Sequence, residues 1–162
     1  MRTDTGLLGS PAFAIPPSVQ RALCSIHDPY FWGHERLWKL LPPFLALFDG
    51  TPLKALVLRA LGVRVGRRLL DDGAAMPEHT LVTIGDHVTL GPRSTVQCHS
   101  LEDGTFKSDH TALRDGVTVG ADAFVHYGVE MGAGTVLDAD AFLMKGTVTG
   151  ARTRWSGTPA TP

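Results

Sequence analysis

Cysteine is scarce in this 162-residue chain, which contains only Cys24 and Cys98. The scarcity excludes a disulfide-stapled scaffold and indicates a reducing compartment. An excess of charge of one sign is also lacking, because 15 Lys and Arg residues stand against 16 Asp and Glu residues. The basic residues are scattered along the chain, so we expect no nucleic-acid partner.

Long apolar runs are absent too. No stretch reaches the roughly 18 apolar residues of a membrane-spanning helix, so none is predicted. The N-terminal segment MRTDTGLLGSPAFAIPP is unlike a signal peptide, because Gly, Ser and Pro interrupt its short apolar run. Hydrophobic residues nevertheless make up 43% of the chain, which is enough for a packed core.

What the chain does have is a six-residue period that starts at Ile84. The second position of the repeat is often Gly, as in Gly85, Gly91, Gly120 and Gly132. The fifth position holds small or β-branched residues, and a fainter pair of repeats runs from Leu61 to Leu70. The first position is always aliphatic: Ile84, Leu90, Val96, Leu113, Val119, Val125, Met131, Leu137 and Leu143.

A period of six fits neither an α-helix, which repeats near 3.6, nor a single strand, which repeats near 2. It predicts a β-helix in which each hexapeptide forms one short strand and one turn. First-position side chains then point inward and stack from coil to coil, and the second-position Gly permits a tight turn. The alternative is a meander of hairpins, whose turns rarely keep so even a spacing.

The repeat breaks at VQCHSLEDGTFKSDH, from Val96 to His110. Two His residues, several acids and a Lys fall within this break. We therefore expect an excursion loop near residues 99–112 that leaves the regular coil. The dipeptide Asp103-Gly104 is typical of a turn.

The N-terminal part is predicted to be helical. Asp28-Pro29 is a helix start, and Pro42-Pro43 is expected to end that helix. Thr51-Pro52 begins another helix that ends at Gly62, with Leu53 and Leu56 on its apolar side. The domains expected are a tail and helical arm over residues 1–60, a β-helix over 61–150 and a tail over 151–162. The arm either caps the open end of the solenoid or lies on a membrane or a partner protein.

Several segments together resemble one family. They are DPYFWGHERLWKL, GTPLKALVLRALGVRVGRRLLDDG, TLVTIGDHVTL, QCHSLEDGTFKSD, FVHYGVEMG, FLMKG and RWSGTPA. The chain resembles the C-terminal hexapeptide-repeat domains of Pls/PosA-type non-ribosomal peptide synthetases, which include the ε-poly-lysine synthetase. The resemblance runs from about Leu7 to Ala160.

The resemblance implies a left-handed parallel β-helix with three hexapeptides per coil. It implies an acyltransferase that joins aminoacyl units into amide or isopeptide bonds, as a homotrimer with sites between subunits. The partners implied are a carrier protein bearing a phosphopantetheine thioester and a small-molecule amine. Adenylation and carrier domains are lacking here, so we expect the aminoacyl group to arrive already activated. The segment DDGAAMPEHT departs from the family pattern at Ala74-Ala75 and Pro77.

The catalytic residues follow from the resemblance, because a His supplies the base in hexapeptide acyltransferases. His99 is the first candidate, since it lies at the break and an imidazole titrates near neutral pH. Glu102 and Asp103 are expected to orient its ring or to bind the incoming ammonium. His126 is expected at a turn of the coil, either facing His99 across a subunit boundary or as a hydrogen-bonded corner residue.

Other residues are candidates for binding. Lys107 and Lys145 are predicted to contact the pantetheine or coenzyme A cofactor. Trp155 either stacks on that cofactor or caps the last coil. Asp71 and Asp72 either bind a cationic amino acid such as lysine or are turn residues.

Two other functions stay open at this point. One is a coenzyme A-dependent N- or O-acetyltransferase acting on a small molecule. The other is a non-catalytic scaffold of a synthetase. A zinc site of His99, His110 and His126 is a further alternative that the family pattern does not carry, and no metal is expected. We expect a cytoplasmic protein, with association to a membrane through the helical arm as the alternative.

Overall fold

A computed structural model describes residues 41–162 continuously, together with Leu7–Leu8, Phe13–Ala14, Ala22–Ser25 and the single positions 27, 29 and 32. The N-cap predicted at Asp28 lies outside the described residues. Within the described part of the chain, no helix combines the length and apolarity that a membrane crossing requires.

Within residues 41–62, two short helices precede the solenoid. Helix α1 spans Pro42–Leu45 and continues into a 3-10 turn at Ala46–Phe48. Pro42 and Pro43 begin this helix, because proline fits the first helical turn. The preceding helix, which the sequence predicted to end at these prolines, lies mostly outside the described residues. Helix α2 spans Pro52–Ala60, with Thr51 as its N-cap and Gly62 just past its C-cap at a φ of +101°. The predicted start and end of α2 are confirmed.

The solenoid consists of three parallel sheets, and each sheet takes one short strand from each coil. Within the regular coils, paired strands lie three hexapeptides apart, as Leu113 with Met131 and Val119 with Leu137 show. The first sheet contains β4 (Arg64–Val65), β6 (Val82–Ile84), β11 (Thr111–Leu113) and β14 (Glu130–Met131). The second contains β5 (Leu70–Asp71), β7 (Thr89–Leu90), β12 (Thr118–Val119), β15 (Val136–Leu137) and β17 (Arg154–Trp155). The third contains β8 (Thr95–Val96), β13 (Phe124–Val125) and β16 (Phe142–Leu143).

The core of this solenoid is the column predicted from the period. All nine first-position aliphatics, from Ile84 to Leu143, are at most 2% exposed. Fifth-position residues such as Val88 and Val117 fill the rest of the interior and are fully buried. The inward direction of the first position is therefore confirmed.

The role predicted for the second-position glycines is wrong. The left-handed turn residues occupy the fourth position instead, as His87, Arg93 and Asp122 show with φ near +57° to +59°. The second-position glycines have no such φ, but each lies directly under the backbone of the next coil. A Cβ on Gly120 would lie 2.5 Å from the Ala139 amide nitrogen. Close approach between coils, rather than turn conformation, requires glycine there.

We predict that Gly120→Ala destabilises the protein by about 1–3 kcal/mol, because the new methyl overpacks two coils of backbone that cannot yield. Urea unfolding followed by circular dichroism measures the change. Gly150→Ala is the matched control, since its Cβ would meet only the Thr153 methyl at 3.3 Å. Equal stability of Gly120→Ala and the natural chain would contradict the assignment.

The break in the repeat is a β-hairpin rather than a loop. Strands β9 (His99–Glu102) and β10 (Thr105–Ser108) pair antiparallel around Asp103-Gly104. Both turn residues have positive φ, of +53° and +66°, which suits a two-residue hairpin turn. Strand β3 (Ala22–Ser25) pairs with β10 and makes a three-stranded sheet, which the sequence did not predict. Strands β1 (Leu7–Leu8) and β2 (Phe13–Ala14) form a separate antiparallel pair.

Candidate active site

The candidate site follows one edge of the solenoid, between the third sheet and the first. Each coil turns this corner once, and the β9–β10 hairpin projects from it at the second coil. Four side chains from different coils and from the hairpin meet along the edge: Glu78, His99, Glu102 and Lys145. Side chains distant in sequence are thus brought together by the stacking of coils.

His99 is held by a buried hydrogen-bonded pair. Its Nδ1 lies 2.6 Å from Oε1 of Glu78, and both residues are less than a tenth exposed. The other Glu78 oxygen accepts the backbone N–H of Cys98 at 2.8 Å. A carboxylate can only accept, so the proton of the neutral imidazole is on Nδ1 and the lone pair is on Nε2. The imidazole also stacks on Phe106, with ring centroids 5.2 Å apart.

The carboxylate that orients His99 is therefore Glu78, whereas the sequence predicted Glu102 and Asp103 for this role. Asp103 lies in the hairpin turn and is exposed. Glu78 was missed because it lies 21 residues earlier, at the end of the DDGAAMPEHT segment. An alignment of the first two coils would have indicated Glu78, because Ala75 forms a β-bridge with Thr95 and this register places Glu78 beside Cys98.

Glu102, whose side chain is 30% exposed, forms a second charged cluster with two buried lysines. Lys145 Nζ lies 2.9 and 2.8 Å from the two Glu102 oxygens, and Lys107 Nζ lies 3.5 Å from one of them. Burial acts to raise the pKa of Glu102, but hydrogen bonds and attraction from Lys145 outweigh it and hold this pKa below its ordinary value. Both ammonium groups predicted to contact the cofactor are thus engaged with Glu102 and buried.

His126 lies beside this cluster and is enclosed by aromatic rings. The Tyr127 ring centroid is 4.7 Å away, and the rings of Phe124 and Phe142 lie at 5.7 and 6.0 Å. The Tyr127 backbone N–H donates to His126 Nδ1 at 2.9 Å, as expected of a corner residue. Burial lowers the pKa of His126 to about 4, so the ring is neutral at pH 7.

This shift predicts a pH dependence of stability. The folded pKa of His126 lies below its unfolded value, so the unfolded chain binds more protons between pH 6.5 and 4 and stability falls as the pH falls. We expect the natural chain to lose on the order of 2 kcal/mol more than His126→Asn between pH 7 and pH 5. Urea unfolding at the two pH values measures the difference. The Asn side chain keeps an oxygen for the Tyr127 N–H, and an equal loss in both proteins would contradict the assignment.

The remaining predicted residues lie elsewhere. Asp71 is 1% exposed and lies under α2, where Lys54 Nζ is 3.2 Å from its Oδ1. The same oxygen accepts the N–H groups of Gly73 and Ala74. Asp71 is thus enclosed in an ion pair rather than presented to a substrate, and Asp72 is exposed.

Trp155 lies on the last coil. Its indole Nε1 donates to Thr153 Oγ1 at 3.0 Å, and its ring packs against the hydrophobic core. Of the two predicted roles, the structure shows the contacts expected for capping.

The three histidines of the zinc alternative each have another partner. His110 is half-buried, with Nε2 2.7 Å from Thr83 Oγ1. Nδ1 of His99 and Nδ1 of His126 bond Glu78 and the Tyr127 amide. Among the residues that the structure describes, no group of three or more His, Cys, Asp or Glu side chains is arranged to hold a metal ion.

The solenoid is similar to solved structures. The hexapeptide-repeat-containing acetyltransferase of Vibrio cholerae, complexed with acetyl coenzyme A, superimposes with a TM-score of 0.62 at 18% identity, over 84% of this chain and 88% of that one. A maltose O-acetyltransferase of Clostridium difficile gives 0.60 at 18% identity, over 86% and 89%. A galactoside acetyltransferase in complex with coenzyme A gives 0.61 at 14% identity, over 86% and 84%.

The fold is a left-handed β-helix of hexapeptide repeats. The predicted fold class is therefore confirmed, including the handedness taken from the resemblance. In sequence, this chain is 33% identical over 138 residues to the delta-poly-L-ornithine synthetase of Acinetobacter baumannii. That match covers 82% of this chain, which spans about a tenth of the length of the synthetase. No model of a known protein family matches the chain.

Proposed function

We propose that this chain is an acyltransferase that forms an amide bond. It takes an aminoacyl group from the phosphopantetheine thioester of a carrier protein and transfers it to an amine. The observation that carries the proposal is the buried Glu78–His99 pair on the edge of a hexapeptide-repeat β-helix. The similarity to a delta-poly-L-ornithine synthetase supports amide formation as the reaction.

The proposed reaction requires His99 to act as a general base. As the amine nitrogen bonds to the acyl carbon, Nε2 of His99 accepts a proton from that nitrogen, and Glu78 stabilises the imidazolium. The C–S bond then breaks, and His99 returns the proton to the departing sulfur. The products are an amide and a thiol, so atoms and charge balance.

Coenzyme A is the second candidate donor. Two of the structural neighbours are complexes with acetyl coenzyme A or coenzyme A. Transfer of an acetyl group from coenzyme A to a small-molecule amine or alcohol uses the same base. The two candidates differ in the donor and in the acyl group.

The proposal includes an assembly and a location. We expect a homotrimer in the cytoplasm, with the carrier protein and the amine as its further partners. Helix α2 exposes Leu53 and Leu56 by more than half of their surface. That exposed face is suited to contact with a membrane or with a synthetase. The scaffold alternative assigns the same face to such a contact.

Release of free thiol tests the proposal. The whole chain is mixed with aminoacyl thioesters on carrier proteins and with coenzyme A thioesters, each with and without added amines. Thiol release that requires the amine, with an amide product of the correct mass, supports the acyltransferase and names its donor. The absence of release from every thioester by folded protein would favour the scaffold.

A further inference from the structure

His126 lies at the base of the hairpin that carries His99. Strands β8 and β13 are neighbours in the third sheet, so His126 follows β13 as Gln97 follows β8. The backbone carbonyl of His126 accepts the hydroxyl of Thr111 at 3.3 Å, and Thr111 is the first residue of β11, where the chain returns to the coil. His126 is therefore next to both ends of the excursion.

The side chains of the candidate site act on His126 electrostatically. Burial is the largest influence on the pKa of this imidazole, and the side chains of the solenoid edge act on it as well, namely Glu102, Lys145, His99 and Glu78. The Lys145 ammonium also lies 5.7 Å from the centre of the Tyr127 ring, which is in edge contact with His126. The imidazole of His126 thus belongs to the same edge as the candidate base.

The hydrogen bonds of the two histidines select opposite tautomers. The Tyr127 backbone N–H donates to Nδ1 of His126 at 2.9 Å. Because this ring is neutral at pH 7, its proton is on Nε2. In His99 the proton is on Nδ1, which faces the Glu78 carboxylate at 2.6 Å. His126 therefore presents a hydrogen-bond donor at Nε2, where His99 presents an acceptor.

The Nε2–H group of His126 is accessible to a substrate. The side chain is partly exposed, and in the part of the chain that the structure describes no residue bonds to Nε2. The rings of Phe124 and Phe142 flank the imidazole, with centroids 5.7 and 6.0 Å away. A hydrogen bond donated beside these apolar rings is stronger than one donated in water.

The proposed reaction requires such a donor in addition to the base. When the amine nitrogen bonds to the acyl carbon, an electron pair of the carbonyl moves to its oxygen, and negative charge develops there. A donor directed at this oxygen lowers the barrier, and a neutral imidazole N–H can fill that role. We infer that Nε2–H of His126 donates a hydrogen bond to the thioester carbonyl oxygen and to the oxyanion formed from it.

The inference rests on the proposed acyl transfer and keeps its balance. The proton stays on His126, and the C=O bond re-forms as the C–S bond breaks. A pKa of about 4 makes His126 a poor base near neutral pH, so it does not compete with His99 for the proton of the amine. The two histidines thus have different roles in one step.

Two substitutions distinguish a catalytic donor from a structural corner residue. Gln places its amide NH₂ near the position of the imidazole Nε2 and keeps a donor there. Asn ends near Nδ1 and keeps only an acceptor for the Tyr127 N–H. A donor role therefore predicts more activity in His126→Gln than in His126→Asn, and a purely structural role predicts the reverse. His87→Asn alters an exposed turn histidine and is the control.

The assay measures thiol release from glycyl and lysyl thioesters of phosphopantetheine and from acetyl coenzyme A, with 1,4-diaminobutane as the amine. We expect His126→Asn to lower kcat by about 10²–10³-fold, the effect of removing one oxyanion donor. The KM for the thioester should change by no more than about twofold, because the interaction strengthens in the transition state. His126→Gln should lose less than about tenfold. Urea unfolding checks that each variant is folded.

A spectrum of the natural chain tests the tautomers without any reaction. In protein labelled with ¹⁵N-histidine, an imidazole nitrogen that carries a proton and one that carries the lone pair have distinct chemical shifts. We expect a proton on Nε2 of His126 and on Nδ1 of His99 at pH 7. A proton on Nδ1 of His126 would overturn the inference, even if neither variant folded.

The outcomes separate the two proposals. Transfer that persists at the full rate in His126→Asn, or that is slower in His126→Gln than in His126→Asn, would overturn the role of His126 and leave the acyltransferase standing. No thiol release by the natural chain from any of the three thioesters would overturn the acyltransferase, and with it the role of His126.

Discussion

Replacing His99 with Ala is expected to lower kcat/KM for amide formation by a factor of about 10²–10⁴. This is the range that a positioned general base contributes. The imidazole is held by Glu78 at 2.6 Å and stacks on Phe106, so it is pre-organised to accept a proton from the amine. The measurement is the initial rate of thiol release with saturating amine, accompanied by mass analysis of the product.

Two variants make the result specific. His87→Asn alters a histidine that is exposed on another turn, at a φ of +59° that Asn tolerates, and should keep full activity. Glu78→Gln keeps the shape of the side chain but removes the charge that stabilises the imidazolium, so its loss should be smaller than that of His99→Ala. Full activity of a folded His99→Ala protein would show that the base is elsewhere.

Replacing Lys54 with Met is expected to destabilise the fold by about 3–5 kcal/mol at pH 7. The ammonium of Lys54 is 2% exposed and lies between Asp49 and Asp71. Its removal leaves the Asp71 carboxylate buried with only two backbone N–H donors, and an uncompensated buried charge carries a cost of this size. Urea unfolding followed by circular dichroism measures the difference from the natural chain.

The stability lost in Lys54→Met is expected to depend on pH. Burial already raises the pKa of Asp71, and without Lys54 an opposing influence disappears, so this pKa rises further. A group whose folded pKa is raised contributes stability at low pH that is lost as the pH rises through that pKa. The penalty of Lys54→Met should therefore be smaller at pH 5 than at pH 7.

Two further variants check the Lys54 result. Arg64→Met removes an exposed cation from β4 and should change stability by no more than about 0.5 kcal/mol. In Lys54→Met/Asp71→Asn the buried charge is gone, so part of the stability should return. An equal penalty at both pH values would contradict a charged Asp71 as the cause.

Part of the candidate site was predictable. His99 was singled out because it interrupts a regular repeat, and the structure places it in a hydrogen-bonded pair. His126 was expected at a corner of the coil and lies there with its Nδ1 bonded to the Tyr127 amide. The pairing of Glu102 with Lys145 joins residues 43 apart, and the period does not reveal which side chains the hairpin brings to a neighbouring coil.

The helical arm shows the same limit. The boundaries of α2 followed from local signals, namely Thr51-Pro52 and Gly62, because capping depends on a few adjacent residues. The sequence did not predict which face of α2 is buried. Leu53 and Leu56 were placed on the apolar side, yet both are exposed, while Lys54 is buried. Partners on the first coil decide which side faces inward, and the carboxylate of Asp71 draws Lys54 there.

The sequence by itself determined that this chain winds into coils of hexapeptides, because each repeat carries its own aliphatic residue and small partner. These are local requirements, and nine first positions satisfy them in phase. Only the tertiary structure decided which polar side chains meet on the edge of the solenoid. Glu78 reaches His99 because the first coil stacks on the second, and the hairpin carries Glu102 to Lys145 of a later coil.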